Sequence, residues 1–417
     1  MNQDNGGQKD SKAVDFSLMR KLNRSLILNL IRQEGTVSRA AIAKRTSLSR
    51  STVSSIISEL LGENLVTEIG QGHSSGGRRP ILINFNYRAG YLVGVDLGAT
   101  HILVLVTDLN GETIARQETD FAISVGPEIG LKKAADVVRR CLDHAGVRLD
   151  QVVGLGMGVP GPVEYALGRV VAPPIMPGWH GVALRDRLAE DLKLPVYLDN
   201  DANLGALGER WRGAGRGCPN LVYIKIGTGI GCGLILNGEL YRGDVGSAGE
   251  IGHVTIDENG PPCKCGSYGC LESMAGGPAI ALRAQQSIRA GQATALSEVQ
   301  PIESITARDV ALAARAGDRL AQQLFADAGK HIGVALASLA NLLNPGLIII
   351  GGGVAQAGDL LLEPIRKTVE QRALQSVVQN TRIIQSALGR DATALGAVSL
   401  ALNEVFRSPA LITSSGV

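Results

Sequence analysis

The sequence predicts an α/β protein in two unequal parts: a winged helix-turn-helix module over residues 17–88, then two α/β lobes facing a cleft over residues 89–407. Three observations predict it. Helical spacing of apolar residues between Leu18 and Leu61 gives way to alternation at Leu65–Gly70 and Pro80–Phe85. From Tyr91 onward, strand-like runs alternate with helical ones, the signature of layered α/β architecture. A strand, glycine turn, strand pattern also occurs twice, at Tyr91–Glu112 and Leu221–Glu239, and both copies close on Asn-Gly-Glu, which reads as an internal duplication.

In the first module, Leu22, Leu26, Ile27, Leu30 and Ile31 define one helix, which ends at Gly35. Ser38 is placed to cap a second helix. A third runs from Ser47, with Val53, Ile56, Ile57, Leu60 and Leu61 on one side. Its opening side chains are short hydrogen-bonding groups and arginine, which suit base edges in a major groove or phosphate oxygens equally well. The candidate DNA-contacting residues are therefore Arg39, Ser49, Arg50, Ser51, Thr52 and Ser54, with Arg78 and Arg79 on the Gly/Ser-rich tip of the hairpin.

Charge supports that assignment. The chain carries a net +2, yet Ser17–Gly90 holds eleven Lys/Arg against four Asp/Glu, so the remainder is acidic. A basic module on a slightly acidic body points to nucleic acid as the partner of the first. At 417 residues, 45% hydrophobic, the chain is long enough for two or three domains. Residues 1–16 are polar and read as a disordered tail, and residues 408–417 as another. Nothing at the start resembles a signal peptide, and no run of eighteen apolar residues offers a membrane span, so a cytoplasmic protein is expected.

The cleft candidates come from three segments. Asn200 and Asp201 lie where the strand Val196–Asp199 meets a helix; Asp201 is placed to act as a general base on a hydroxyl, or else one of Asp199, Asn200 and Asp201 caps that helix. The turns around Gly98–Thr100 and Gly227-Thr228-Gly229 offer backbone N–H groups and hydroxyls to phosphates. Gly351 and Gly352, after the apolar strand Leu347–Ile350, are positioned for close approach of a nucleotide, although strand punctuation explains them as well. The third segment is Gly249–Glu272. It places His253, Cys263, Cys265 and Cys270 in one loop, the Cys3His set of a closed structural zinc site, in a chain with only six cysteines. A metal there would also fix Glu250, His253 and Glu272 as a rigid, polyol-binding wall. A hydrolytic zinc site is disfavoured, because four protein ligands leave no open position.

These motifs, above all Gly249-Glu-Ile-Gly-His with Cys263-x-Cys-Gly-x-x-Gly-Cys-x-Glu, resemble the ROK family of repressors, open-reading-frame proteins and sugar kinases. The likeness runs from Leu18 to Phe406 and is greatest to the family's xylose, N-acetylglucosamine and glucose repressor type. The resemblance implies an actin-like (ribonuclease H-like, hexokinase-type) ATPase fold, with lobes of about 89–200 plus the C-terminal helix and 201–390. It implies zinc on His253, Cys263, Cys265 and Cys270, and a sugar on Asn200, Asp201, Glu250, His253 and Glu272. In kinase members the residue at Asp201 is the base, and turns matching Asp96-x-Gly98-x-Thr100 and Gly227-Thr228-Gly229 hold ATP. Here the first turn reads Asp-Leu-Gly-Ala-Thr-His where kinases carry Asp-x-Gly-Gly-Thr-Lys, so Ala99 and His101 depart from the pattern. The expected protein is a sugar-responsive repressor acting on operator DNA as a homodimer or tetramer. An ATP-dependent hexose kinase is the alternative.

Overall fold

The computed structural model describes residues 7–71, 80–171, 173 and 175–407. The N-terminal module is built from helices α1 (Gly7–Glu34), α2 (Arg39–Thr46) and α3 (Arg50–Gly62) and strands β1 (Val37–Ser38), β2 (Val66–Gln71) and β3 (Ile81–Phe85). The strands pair antiparallel in the order β1-β3-β2, the wing of a winged helix. Two boundaries differ from expectation. α1 begins at Gly7, inside the stretch whose polar composition predicts disorder, because no proline interrupts continuation of the helix backwards from Leu18. α3 begins at Arg50: Ser47 closes α2 in the left-handed conformation (φ 57°), and the Ser49 hydroxyl caps α3 by accepting from the Thr52 amide. Ser38 caps α2, as its spacing predicts.

The larger body holds two five-stranded sheets of one topology. The first orders β10-β7-β4-β5-β6, from β4 (Tyr91–Leu97), β5 (His101–Asp108), β6 (Thr113–Asp120), β7 (Val152–Val159) and β10 (Val196–Asn200). The second orders β13-β12-β11-β14-β15, from β11 (Leu221–Ile226), β12 (Ile230–Leu236), β13 (Glu239–Tyr241), β14 (Leu347–Gly351) and β15 (Arg382–Gln385). In each, an antiparallel meander is extended by two parallel strands on its first strand, so the repeated sequence pattern is a repeated fold. A short hairpin, β8 (Val163–Glu164) with β9 (Arg169–Val170), follows β7.

Helices α4 (Pro127–Ala145) and α5 (Leu184–Leu192) cover the first sheet. α7 (Leu271–Ala275), α8 (Gly277–Arg289), α9 (Ala307–Arg315), α10 (Arg319–Leu343), α11 (Asp359–Arg372) and α12 (Gln375–Val378) build the second lobe. Trp179 is fully buried and donates its indole N–H to the Ile123 carbonyl, so the Pro177–His180 turn serves packing.

Two helices tie these parts together: α6 (Asp201–Arg212) and α13 (Ala392–Arg407). They cross so closely that a Cβ on Gly396 would lie 1.7 Å from the Leu204 carbonyl oxygen. α13 also lies on the first sheet, where a Cβ on Gly156 would meet the Ala397 carbonyl oxygen at 1.9 Å. Beyond that crossing, Val398, Ala401, Leu402, Val405 and Phe406 join Ile27, Ile31, Val53, Ile57 and Phe85 in one hydrophobic core. The winged module is thus packed onto the last helix, not merely tethered.

Candidate functional site

A cavity of about 1030 Å³ opens between the two sheets. It is reached by the ends of β4, β10 and β11, by both glycine turns and by the cysteine loop. Of the residues singled out from sequence, Asp96, Gly98, Thr100, Asn200, Asp201, Gly227, Thr228, Gly229, Glu250, His253, Glu272 and Gly352 line it. Gly351 does not: it ends β14 packed against Tyr223, whose hydroxyl would lie 2.2 Å from an added Cβ.

Asn200 and Asp201 divide the two roles left open by sequence. The Asn200 amide oxygen accepts from the Ala202 and Asn203 amides at 2.9 and 3.2 Å, so Asn200 is the cap of α6. Its side-chain nitrogen donates to the Gly161 carbonyl at 3.0 Å. Asp201 is therefore released from capping, and its carboxylate turns into the cleft. Asp199, 2% exposed, is held by Arg242 at 2.7 Å and by the Asn203 side chain at 3.0 Å. Arg242 stacks over the Tyr165 ring at 4.3 Å. Glu272 is also partly committed, accepting from the Ile230 amide at 3.0 Å and so fixing the shape of the Gly227–Gly229 turn.

The cleft also holds a cation that residue spacing does not single out. Lys225, the penultimate residue of β11, places its ammonium 2.9 Å from Asp201 Oδ2 and 3.4 Å from Asp96 Oδ2. It also lies 3.2 Å from Thr393 Oγ1, and Thr393 in turn donates to the Asp201 carbonyl at 3.1 Å. His101 Nε2 lies 3.4 Å from Asp96 Oδ2. Burial pulls the Lys225 ammonium down, but Asp201 and Asp96 outweigh it and hold it charged. Burial pushes Asp96 up, yet Lys225 and His101 bring it below the usual carboxylate range. Burial raises Asp201 above that range, Lys225 opposes the rise, and the nearby Asp96 adds to it. A lysine within Leu221-Val-Tyr-Ile-Lys-Ile is itself the signal: a charge in an otherwise apolar strand has no inexpensive place unless it is paired.

At the cavity's edge, the donor atoms of His253, Cys263, Cys265 and Cys270 all lie within 4.8 Å of one another. Cys265 Sγ and Cys270 Sγ are 3.7 Å apart, and Cys263 Sγ is 3.7 Å from His253 Nδ1. Thiolates about 2.3 Å from a tetrahedral zinc are separated by about 3.8 Å, so the donor set and its spacing fit such an ion. His253 Nε2 lies 4.0 Å from Glu250 Oε2, so the carboxylate stands beside the imidazole without a direct hydrogen bond. Burial raises the Glu250 carboxyl above its ordinary range, with His253 opposing the rise.

In the winged module, Arg50 opens α3, is exposed and has no ion pair among the described residues. Ser51 and Thr52 hydroxyls each lie 2.8 Å from the Ser49 hydroxyl, so all three share the capping turn. Ser54 is half-buried one turn further on. Arg39 pairs with Glu68 on β2 at 3.0 Å, tying α2 to the wing. Arg78 and Arg79 lie outside the described residues. No helix among the described residues is long and apolar enough to cross a membrane.

Comparison with known proteins agrees with this division. Residues 92–404 match the ROK family, and residues 21–67 match winged helix-turn-helix DNA-binding domains. The chain is 33% identical to the xylose repressor of Caldicellulosiruptor bescii, over 95% of this chain and 99% of that protein. A solved ROK family transcriptional regulator, a homolog of the Escherichia coli MLC protein, superposes with a TM-score of 0.81 at 27% identity, over 95% of this chain and 99% of the other. A ROK family glucokinase from Streptomyces griseus, solved with glucose and AMPPNP, gives 0.67 at 32% identity, over 75% of this chain and all of that one. With a winged helix-turn-helix module ahead of a two-lobed, sugar-kinase-like body, the chain belongs to the ROK family.

Proposed function

We propose that this protein is a sugar-responsive DNA-binding repressor of carbohydrate-utilisation genes. Relatives named as xylose repressors match it over nearly their whole length, and E. coli NagC, named as a DNA-binding transcriptional regulator, is 30% identical over 95% of this chain. The observation that carries the mechanism is the path of α13. Its first turn holds Asp201 and Lys225 through Thr393, and its last turn places Phe406 in the core of the winged module.

A neutral sugar would present hydroxyls to Asp201, Glu250 and His253, with Glu272 fixing the adjoining turn. Zinc on His253, Cys263, Cys265 and Cys270 would keep that wall rigid. Ligand-induced movement of the lobes would turn α6 and α13 together. It would thereby change the angle at which α3 meets the major groove, so that sugar and operator affinities are linked reciprocally. DNA contacts are assigned to Arg50, Ser51, Thr52 and Ser54 on α3 and to Arg78 and Arg79, with Arg39 and Ser49 holding that surface in shape. A two-fold symmetric operator, the usual target of helix-turn-helix proteins, would be met by a homodimer or by a tetramer built from such dimers. A gel-shift titration with a panel of monosaccharides tests the proposal: one sugar should change operator affinity, and no sugar doing so would overturn it.

The kinase reading is supported by Asp201 facing the cleft beside the Gly227–Gly229 turn. Release of ADP in a coupled assay with the same sugar panel decides it.

A further inference from the structure

The ROK body implies a nucleotide and its divalent metal at the glycine turns, and the residues beside Asp96 do not fit them. We propose that Lys225 is a built-in cation standing where a divalent metal would bridge Asp96 and Asp201, so that the cleft admits a neutral polyhydroxylated ligand and refuses a metal–nucleotide complex. The inference rests on the reading of the cleft as a sensing site and names the residue that fixes its ligand class.

The geometry is that of a cation site already filled. Oxygens of three residues surround the ammonium: Asp201 Oδ2 at 2.9 Å, Thr393 Oγ1 at 3.2 Å, and Asp96 Oδ2 and Oδ1 at 3.4 and 3.5 Å. An ammonium has three N–H donors, and here each has an acceptor. The three residues come from different elements, α6, α13 and β4, and converge on a side chain from β11. The side chains of Asp96 and Lys225 are only 3% and 16% exposed, so this charge is built into the interior.

Two convergent carboxylates around a small volume are what a hard divalent cation requires, and magnesium holds its oxygens at about 2.0–2.1 Å. An ion that close to both carboxylates would have to occupy the place of Nζ. An ion set further out would face the ammonium charge across a poorly screened gap. Nor is the neighbouring turn free. The His101 ring lies over Gly98, where an added Cβ would meet its Cε1 at 2.5 Å, and its Nε2 points to Asp96. Ammonium and imidazole both contact the Asp96 carboxylate, each 3.4 Å from Oδ2.

Manganese alone, as a spectroscopic substitute for magnesium, tests this on full-length protein. Wild type and Lys225→Arg should show no saturable Mn²⁺ binding that depends on Asp201. Lys225→Met should gain a site at least about tenfold tighter than any in wild type. The double variant Lys225→Met with Asp201→Asn should lose it. The Cys3His cluster does not confuse the reading, because thiolates disfavour this ion. If Lys225→Met is too unstable alone, since two carboxylates then face each other, a melting temperature that rises with Mn²⁺ reads the same site. The inference is overturned by wild-type Mn²⁺ binding that Asp201→Asn abolishes, or by a Lys225→Met protein that neither binds Mn²⁺ nor melts higher in its presence. None of these readouts involves operator or sugar, so the functional proposal stands or falls separately.

Discussion

Phe406→Ala is the perturbation that isolates the link between cleft and DNA. The ring is 3% exposed, packs edge-on against Phe85 at 5.7 Å between centroids, and carries the Arg32 guanidinium 4.9 Å above it. Truncating a buried phenylalanine costs about 3–5 kcal/mol, part of it from the aromatic pair and the cation–π contact. That loss falls on the seam between α13 and the winged module, far along the helix from Asp201 and Lys225. A weakening of about 3 kcal/mol shifts the docking equilibrium about a hundredfold. Operator binding by the module itself should persist. The change in operator affinity caused by sugar, expected at about 5–150-fold for an ordinary coupling energy, should collapse toward unity. Gel shifts with and without the sugar that raises the wild-type melting temperature measure this, and amide exchange of α1–α3 reports the undocking. Phe406→Leu, which keeps most of the apolar contact, should be intermediate. A Phe406→Ala protein with a full wild-type sugar response would refute α13 as the connection.

Four further outcomes follow from the same geometry. Asp201→Asn should weaken sugar binding about 10–100-fold, the range for loss of a charged hydrogen-bond partner, while sugar-free operator binding persists; calorimetry checks it. Cys270→Ser, or prolonged chelation, should remove about one zinc per chain by elemental analysis and lower the melting temperature by about 5 °C or more. Gly156→Ala forces a Cβ against the Ala397 carbonyl oxygen and should cost about 3 kcal/mol or more in urea melts. Arg50→Ala should cost about 1–3 kcal/mol of operator affinity, and filter binding over a salt series separates a base contact, which leaves the salt slope alone, from a phosphate contact, which lowers it by about one.

Much of this was legible because it is local. The helices of the winged module, the duplicated sheets and the cysteine loop each announce themselves by spacing within a few dozen residues. Where the sequence left Asp199, Asn200 and Asp201 competing for one cap, three-dimensional bonds were needed to choose Asn200. Lys225 and Thr393 were missed for a related reason: they act through a meeting of β4, α6, β11 and α13, whose members are distant in sequence. Arg242, which holds Asp199, gives no signal in its own segment. Gly351 marks a limit of sequence reading, because a strand-ending glycine packed against an aromatic ring reads the same as one approaching a nucleotide. The helical start at Gly7 was hidden by polar composition, which predicts exposure better than it predicts backbone conformation.

The shared core of the winged module has a consequence for how the protein comes into being. The first helices to leave the ribosome receive Val398, Leu402, Val405 and Phe406 as apolar neighbours only when nearly all the intervening chain has been made. Until then their inner face stays incomplete, so an unfinished chain presents recognition residues on an unsettled platform. The core of the module is therefore finished only when the last helix of the body has been made.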